Sequence, residues 1–344
     1  MSNTPKATAT TRAGATSTVA GAAATDRPLR AVMPAPSPVS SVVVWELRRI
    51  ASSRSMWLLV GVAFLFFALI TLLLKDSQSL VYGEPQSVDG AMARPDTIRV
   101  SGTSAWGMSI TIPKYLLLVF GMLLPFVAVD GVARDFKRRT HEIVMAARIP
   151  TWAYVVGRYM AVLVIALGLA LVMLAAVLLA GFALHLWAGY PPPSTSAILA
   201  LWAVAVLPAA VLLSGLGFAL GTLLTRHANS IKAVLLVGWV LCQFTGALWE
   251  DSAGQGAYAL VDPAAVMMSQ SIQGPYAVAF FRSVGEVIEA GKPMSKQQAE
   301  GIVRDVEQKT PDLWPWILPR SVYAATGLAA VAFAAARFRR FKGA

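Results

Sequence analysis

One long uncharged segment limits what this chain can fold into more than any other feature. From about Met56 to Leu74 the sequence reads MWLLVGVAFLFFALITLLL, without a charged side chain. A helix of this length crosses the roughly 30 Å hydrocarbon core of a bilayer, because each residue adds about 1.5 Å. Asp, Glu, Lys and Arg make up only 14% of the whole chain, against about 25% in soluble domains. The sequence therefore predicts a membrane protein.

Five further segments have the hydropathy expected of transmembrane helices. They run from about Tyr115 to Val132, Tyr159 to Trp187, Ala197 to Leu224, Ala233 to Trp249 and Trp314 to Ala336. The prediction is an all-α polytopic domain of about six spans over residues 41–344, with an amphipathic helix before the first span. Residues 1–40 are rich in Ala, Thr, Ser and Pro, which predicts a disordered tail; the alternative is a cleaved transit peptide.

The distribution of basic residues predicts the orientation of the spans. Nineteen Lys and Arg residues lie in segments 1–55, 134–158, 225–232 and 337–344, whereas nine lie in 75–114 and 250–313. Because Lys and Arg are retained in cytoplasmic loops, we expect a multi-pass protein of the cell membrane with both termini in the cytoplasm. The same rule explains the net charge of +11 without a nucleic-acid partner.

The orientation assigns the connecting segments to two sides of the membrane. Residues 134–158 form the main cytoplasmic loop, and residues 75–114 and 250–313 are external. The second external segment contains YAVAFFRSVGEVIEAG and SKQQAEGIVRDVEQK, which predict amphipathic helices with Ser295 as an N-cap. These helices could cover the mouth of a pathway, lie on the membrane surface or serve as a solvated connector.

Charged and small residues in or near the spans have a structural interpretation. Asp130 ends the second span, and we expect it to pair with Arg134 one helical turn on; the alternative is a substrate or proton relay. We expect Arg320, near the outer end of the sixth span, to extend to the interface. Gly217 and Gly221 form a G-x-x-x-G pair that predicts close helix packing, within one subunit or between two.

The sequence contains neither a cluster of metal ligands nor a phosphate-binding loop. The three histidines, His141, His185 and His227, are far apart in sequence, so no metal site is expected. No segment matches the phosphate-binding pattern G-x-x-x-x-G-K-[ST]. We expect this chain to be neither an enzyme nor a cofactor-binding protein, and any ATP hydrolysis to occur on a separate chain.

Two stretches resemble the permease subunits of ABC exporters of the type-2 class. VVVWELRRIASSRSMWLLV leads into the first span like the elbow helix of that family, and its charged residues are Glu46, Arg48, Arg49 and Arg54. VDGVARDFKRRTHEIVMAARIPTWAYVVGRYMAVL is similar to the family's first cytoplasmic loop. It has a basic exit, a Thr-x-Glu, a Pro, and then a Gly followed by a basic residue. Arg139 and Arg158 stand where the family usually has Gly and Lys.

The resemblance implies the transmembrane permease subunit of an ATP-driven exporter. Such a subunit dimerises with itself or with a homologous permease in the lipid bilayer, and docks on separate ABC-type ATPase subunits that bind ATP and Mg. The residues implied in coupling to the ATPase are Arg138, Thr140, Glu142, Arg148, Pro150 and Arg158. The alternative is a membrane-embedded assembly or interaction protein that binds a partner through residues 250–313 without transporting a solute.

Overall fold

Long apolar helices dominate the structure. The computed structural model describes residues 37–82, 87–88, 91–92, 96–137, 150–244, 260–289 and 294–338. Within these ranges, five helical segments are long and apolar enough to cross a membrane: Arg54–Leu73, Ala105–Arg134, Thr151–Ala188, Thr195–Leu223 and Trp314–Arg337. The expectation of an all-α polytopic membrane protein is confirmed.

The described part of the chain consists mainly of helices, with one small region of strands between Asp76 and Ser101. The helices are α1 (Pro38–Ala51), α2 (Arg54–Leu73), α3 (Ala105–Thr111), α4 (Leu117–Ala128), α5 (Asp130–Lys137), α6 (Thr151–Ala188), α7 (Thr195–Leu223), α8 (Ala228–Cys242), α9 (Val266–Glu289), α10 (Lys296–Gln308) and α11 (Trp314–Arg337). The strands are β1 (Asp76–Tyr82), β2 (Ser87–Val88), β3 (Ala91–Met92) and β4 (Asp96–Ser101). Strand β1 pairs antiparallel with β4, with Leu80 opposite Ile98, and β2 pairs antiparallel with β3.

The second span begins at Ala105, earlier than the predicted Tyr115. The Ser104 hydroxyl caps the helix by accepting from Gly107 N at 3.1 Å. The hydroxyl of Ser109 is satisfied by donating to the Trp106 carbonyl at 2.7 Å, so a polar sequence can enter the buried bundle. Segment 75–114, predicted to be external throughout, therefore includes strands β1–β4 and the first turns of a span.

Two other predicted segments, the fifth span and the N-terminal tail, lie partly outside the described residues. Helix α8 ends at Cys242 and covers the first part of the predicted span from Ala233, whereas residues 245–249 lie outside the described part of the chain. Helix α1 begins at Pro38, inside the segment assigned to the tail, because the Ser37 hydroxyl caps it by accepting from Ser40 N at 3.2 Å. The predicted tail before residue 37 lies outside the described residues.

Helices α2, α4, α6, α7 and α8 alternate in direction, and α11 runs parallel to α7, which gives the bundle two ends. At one, which we call the α1 end, α1 packs on the first turns of α6, and Tyr154 of α6 lies beside Phe338 after α11, with ring centroids 6.4 Å apart. At the other, the hairpin end, Ser194 N donates to the Thr103 carbonyl at 3.2 Å. Helix α1 and the C-terminal end of α11 thus lie at the same end of the bundle.

Exposed tryptophans mark both ends. Among the described residues, the exposed tryptophan rings at the α1 end are those of Trp45, Trp57 and Trp152, and at the hairpin end those of Trp187 and Trp314. Tryptophan is enriched where a membrane meets water, because its apolar ring carries a polar N–H. The two groups therefore place the two membrane interfaces at the two ends of the bundle.

Helix α7 lies at the centre of the bundle and approaches α4 closely. A Cβ at Gly217 would lie 2.9 Å from the Ala128 Cβ, and one at Gly221 would lie 2.3 Å from the Val129 carbonyl oxygen. The predicted G-x-x-x-G pair thus lies at a contact between two helices of this chain. On its opposite side α7 packs extensively on α11.

The predicted amphipathic helices of segment 250–313 are present as α9 and α10. Ser295 caps α10 as expected: its hydroxyl accepts from Gln298 N at 3.3 Å, and the Gln298 side chain accepts from Ser295 N at 3.0 Å. This reciprocal pair is a capping box. Both helices pack over the hairpin end, α9 on α3 and α10 on β4.

Candidate functional site

A buried ion pair joins α1 to α6. Glu46 Oε2 contacts Arg158 Nη1, and the two residues are 2% and 0% exposed. The other carboxylate oxygen, Oε1, contacts Arg49 Nη2. The Arg158 guanidinium also lies 4.9 Å from the Trp45 ring and 5.4 Å from the Tyr154 ring, distances at which a cation is attracted to a ring face. One buried carboxylate therefore holds two cations, and α1 is fixed on α6.

The Gly157–Arg158 pair at the start of the third span has a structural reason. A Cβ at Gly157 would lie 2.8 Å from the Val42 Cβ, so the absence of a side chain lets α1 approach α6 closely. Arg158, the next residue, then reaches Glu46. The structure brings together Glu46 of the predicted elbow helix and Arg158 of the predicted coupling region.

A second ion-pair cluster lies at the end of the second span. Asp130 Oδ2 lies 3.6 Å from Arg134 Nη2, as the spacing predicts, and Oδ1 lies 2.7 Å from Lys232 Nζ. Sequence reasoning missed Lys232, which belongs to α8; the basic segment 225–232 was the only signal for it. Three charged groups at one span end are typical of the depth of lipid headgroups.

The structure describes only some of the residues implied in ATPase coupling. Arg138, Thr140, Glu142 and Arg148 lie outside the described residues. Pro150 is exposed and caps α6, its carbonyl accepting from Tyr154 N at 3.1 Å. The guanidinium of Arg158 lies against Glu46, away from the protein surface. Arg48 and Arg54 are exposed.

The side chain of Arg320 is buried, contrary to the prediction. It is 1% exposed, so the expectation that it extends to the interface is wrong. Its guanidinium donates to four carbonyls: Nε to Val204 at 3.2 Å, Nη2 to Ala205 at 2.9 Å, and Nη1 to Asp262 at 2.6 Å and Pro263 at 3.1 Å. Arg320 thereby connects α11, α7 and the segment before α9.

The reason for this burial lies in α7. A helical N–H at position 208 would bond the Val204 carbonyl, but Pro208 has no N–H. Arg320 supplies the missing donor. The same arrangement recurs at Pro113, which leaves the Ser109 carbonyl without its helical donor, and the Ser269 hydroxyl donates to it at 2.7 Å. Two prolines inside spans are thus paired with side-chain donors from remote segments.

Polar contacts attach the segments at the hairpin end to one another. Asp76 of β1 accepts from Tyr190 Oη at 2.7 Å and from Arg99 Nη1 at 2.8 Å. Glu307 of α10 accepts from Ser101 N at 2.9 Å. Burial raises the pKa of Glu307, and the hydrogen bond from Ser101 opposes this effect. The strands, the loop before α7 and α10 therefore form one connected surface.

An aromatic group lies under α9. The Trp106 and Tyr276 rings are stacked, with centroids 6.2 Å apart and planes at 11°, and Phe280 lies 5.6 Å from Trp106. Burial raises the pKa of Tyr276 to about 12, so its hydroxyl stays protonated and donates to the Lys309 carbonyl at 2.6 Å. Helix α9 is thus packed firmly on the start of the second span.

No protein-family model and no curated protein sequence matches this chain. The fold and the charged contacts define its class, a polytopic α-helical membrane protein with an amphipathic helix fixed at one end of the bundle and a strand-and-helix cover at the other. Among the described residues, no three His, Cys, Asp or Glu side chains are grouped as a metal site would need.

Proposed function

We propose that this protein is the membrane-spanning permease subunit of an ATP-driven exporter in the cell membrane, with both termini in the cytoplasm. It works as a dimer with itself or a homologous permease, and separate ABC-type ATPase subunits bind ATP and Mg. The proposal rests on the sequence resemblance and on one structural observation, the buried Glu46–Arg158 pair.

This pair gives the proposed coupling a physical route. The loop implied in ATPase contact directly precedes α6, and Arg158 lies in the second turn of that helix. Movement of the loop would act on α6 and, through Glu46, on α1. Helix α1 continues after two residues into α2. A displacement at the ATPase would therefore reach two spans together, as alternation between inward- and outward-facing states requires.

The position of α1 supports the same interpretation. A free amphipathic helix would be held at a membrane surface by its apolar face and by attraction of its basic residues to lipid headgroups. Here α1 is also held by an ion pair whose members are almost fully buried, and removing one partner of such a pair costs about 3–5 kcal/mol. That cost comes from the buried charge left behind, so the pair determines how α1 lies on α6.

Reconstitution with the ATPase tests the proposal. The chain would be purified with a candidate ABC-type ATPase subunit from the same organism, and ATP hydrolysis measured with and without the permease. Glu142→Ala and Arg148→Glu should each lower permease-dependent hydrolysis several-fold while the protein still inserts. The matched control changes are Glu300→Ala and Arg304→Glu in α10, which should leave hydrolysis unchanged.

The result also separates the two candidate functions. Normal coupled hydrolysis in both loop variants would remove this loop from the mechanism. Failure of the wild-type chain to bind any nucleotide-binding subunit would favour the assembly protein. In that case the surface made by α9 and α10 becomes the site to test for a protein partner.

A further inference from the structure

Helices α7 and α11 run in the same direction, from the hairpin end to the α1 end. Arg320 of α11 donates to the Val204 carbonyl of α7. Seven residues later in each helix, a Cβ at Gly327 would lie 2.4 Å from the Val211 carbonyl oxygen. The chain must therefore cross the membrane once more between α7 and α11. Helix α8 begins this crossing, but its 15 residues cover only about 22 Å of the roughly 30 Å hydrocarbon core.

The end of α2 at the hairpin end provides a reference level for depth. Helix α2 ends at Leu73 after 20 residues, which is about the length that crosses the hydrocarbon core. The Lys75 carbonyl accepts from Gly102 N at 2.6 Å, and the Thr103 carbonyl accepts from Ser194 N at 3.2 Å. The second span and α7 therefore begin close to the level at which α2 leaves the membrane.

Helix α8 ends well short of this level. It starts at the α1 end, where Lys232 pairs with Asp130, and runs toward the hairpin end. The Trp239 indole donates to the Leu117 carbonyl at 3.2 Å, twelve residues after the second span begins, or about 18 Å along its axis. Because α8 ends three residues later, at Cys242, its end lies about 14 Å below the reference level.

The segment before α9, residues 260–265, is held at the same depth. Arg320 joins the carbonyls of Asp262 and Pro263 to those of Val204 and Ala205 in α7. Val204 lies nine residues after the start of α7, which is about 14 Å below the reference level. The end of α8 and the start of α9 are therefore at equal depth.

Helix α9 runs from this depth to the hairpin end. Near its start, the Ser269 hydroxyl donates to the Ser109 carbonyl, inside the second span. Two turns later, the Tyr276 ring stacks on Trp106, at the beginning of that span. Helix α9 thus continues outward in the direction of α8 and covers the part of the crossing that α8 leaves open.

The polar groups of segment 260–265 face the protein. Asp262 is 0% exposed, and its carboxylate accepts from Val266 N at 2.7 Å and from Met268 N at 3.0 Å. The first N–H groups of α9 are thereby paired. The exposed side chains of the segment include Leu260 and Val261, at 51% and 45%. Irregular backbone at membrane depth is tolerated when its polar groups are buried in protein in this way.

We propose that the fifth crossing is made by two half helices, α8 and the first turns of α9, and that Leu260 and Val261 contact acyl chains of the leaflet at the hairpin end. Residues 263–281 contain no charged side chain, so this part of the segment predicted to be external can enter lipid. With the five continuous spans of the described residues, the chain then crosses six times, as both termini on one side require. This topology does not depend on the transport function proposed above.

Fluorescence quenching in liposomes tests the proposal. Val261, Val62 and Val81 would each be changed to Cys in a Cys242→Ala background and labelled with bimane. The three valines are 45%, 56% and 52% exposed. Val62, in α2, is the control inside the membrane, and Val81, in β1, is the control outside it. The two quenchers are phosphatidylcholine with brominated acyl chains and aqueous iodide.

The label at Val261→Cys should be quenched several-fold more by the brominated chains than the label at Val81→Cys, and should resist iodide like the label at Val62→Cys. Leu260→Cys provides a second variant and should give the same result. Quenching of the 260 and 261 labels mainly by iodide would place the segment in water and overturn the proposal. Quenching by neither agent would show that protein covers this surface, which would also overturn the contact with lipid.

Discussion

The indole ring of Trp239 occupies the space in which a side chain at position 121 would lie. A Cβ at Gly121 would be 2.0 Å from Trp239 Nε1, far inside van der Waals contact. From this position Nε1 donates to the carbonyls of Leu117 and Leu118, at 3.2 and 3.1 Å. Trp239 is 3% exposed. The glycine therefore lets α8 attach to α4 through a buried hydrogen-bonding ring.

Gly121→Ala should displace that ring and lower stability by about 1–3 kcal/mol, the usual cost of overpacking a core. The measurement is the midpoint of thermal unfolding in detergent. Gly168→Ala in α6 is the matched control, because a Cβ there meets no atom within 4 Å. Equal midpoints for the two variants would show that the ring moves aside without cost.

Arg320→Met should lower the unfolding midpoint more than most single changes, because it removes the hydrogen bonds that Arg320 donates to four carbonyls. The Asp262 carbonyl still accepts from Ala265 N at 3.3 Å, whereas the Val204 carbonyl has no helical donor at Pro208. Each buried group left without a partner costs about 1–3 kcal/mol. Adding Pro208→Ala should recover part of the loss, since position 208 then has an N–H for the Val204 carbonyl. Pro125→Ala in α4 is the control for this rescue. Equal recovery by both proline changes would contradict the pairing of Arg320 with Pro208.

Glu307 should make stability depend on pH. Its pKa in the folded protein is raised above the usual 4.5 by burial, so the folded state holds the proton more tightly than the unfolded state. By linkage, the contribution of Glu307 to stability is fully present below pH 4.5 and is lost as the pH rises through the folded pKa. Glu307→Gln keeps an acceptor for Ser101 N and removes the titration.

The test compares unfolding midpoints of the wild type and Glu307→Gln at several pH values. The wild type should lose stability relative to the variant between pH 4.5 and 7. Glu300→Gln, on the same helix but with a side chain 44% exposed, should follow the wild type. A constant difference between the wild type and Glu307→Gln across this range would show that burial does not shift the titration.

Cysteine labelling should reveal the orientation of the spans. In a Cys242→Ala background, Thr97→Cys in β4 should react with a membrane-impermeant maleimide in intact cells, because the positive-inside rule places the hairpin end outside. Ser52→Cys at the α1 end should react only after the cells are permeabilised. Both positions are exposed, so access to the reagent decides the result. The reverse pattern would invert the proposed topology.

Local features of the sequence were sufficient to predict several elements. An uncharged run such as residues 56–74 forms a helix in lipid because no other structure within the run pairs its own backbone groups. The Asp130–Arg134 pair and the Ser295 cap were predictable for a related reason: each joins residues three or four positions apart on one helix. The sequence by itself thus determined the class of fold and contacts within single turns.

Contacts between remote segments were decided by the tertiary structure. Glu46 and Arg158 are 112 residues apart, and hydropathy does not reveal that Gly157 lets their helices meet. From its position near the end of a span, Arg320 was predicted to reach the interface. Its burial depends on Pro208 in another helix, because this proline leaves the Val204 carbonyl without a helical donor. A buried charge or carbonyl must be paired with a charge or a hydrogen-bond donor. In these two cases the partner comes from a remote segment, and packing determines which segments lie close enough to supply it.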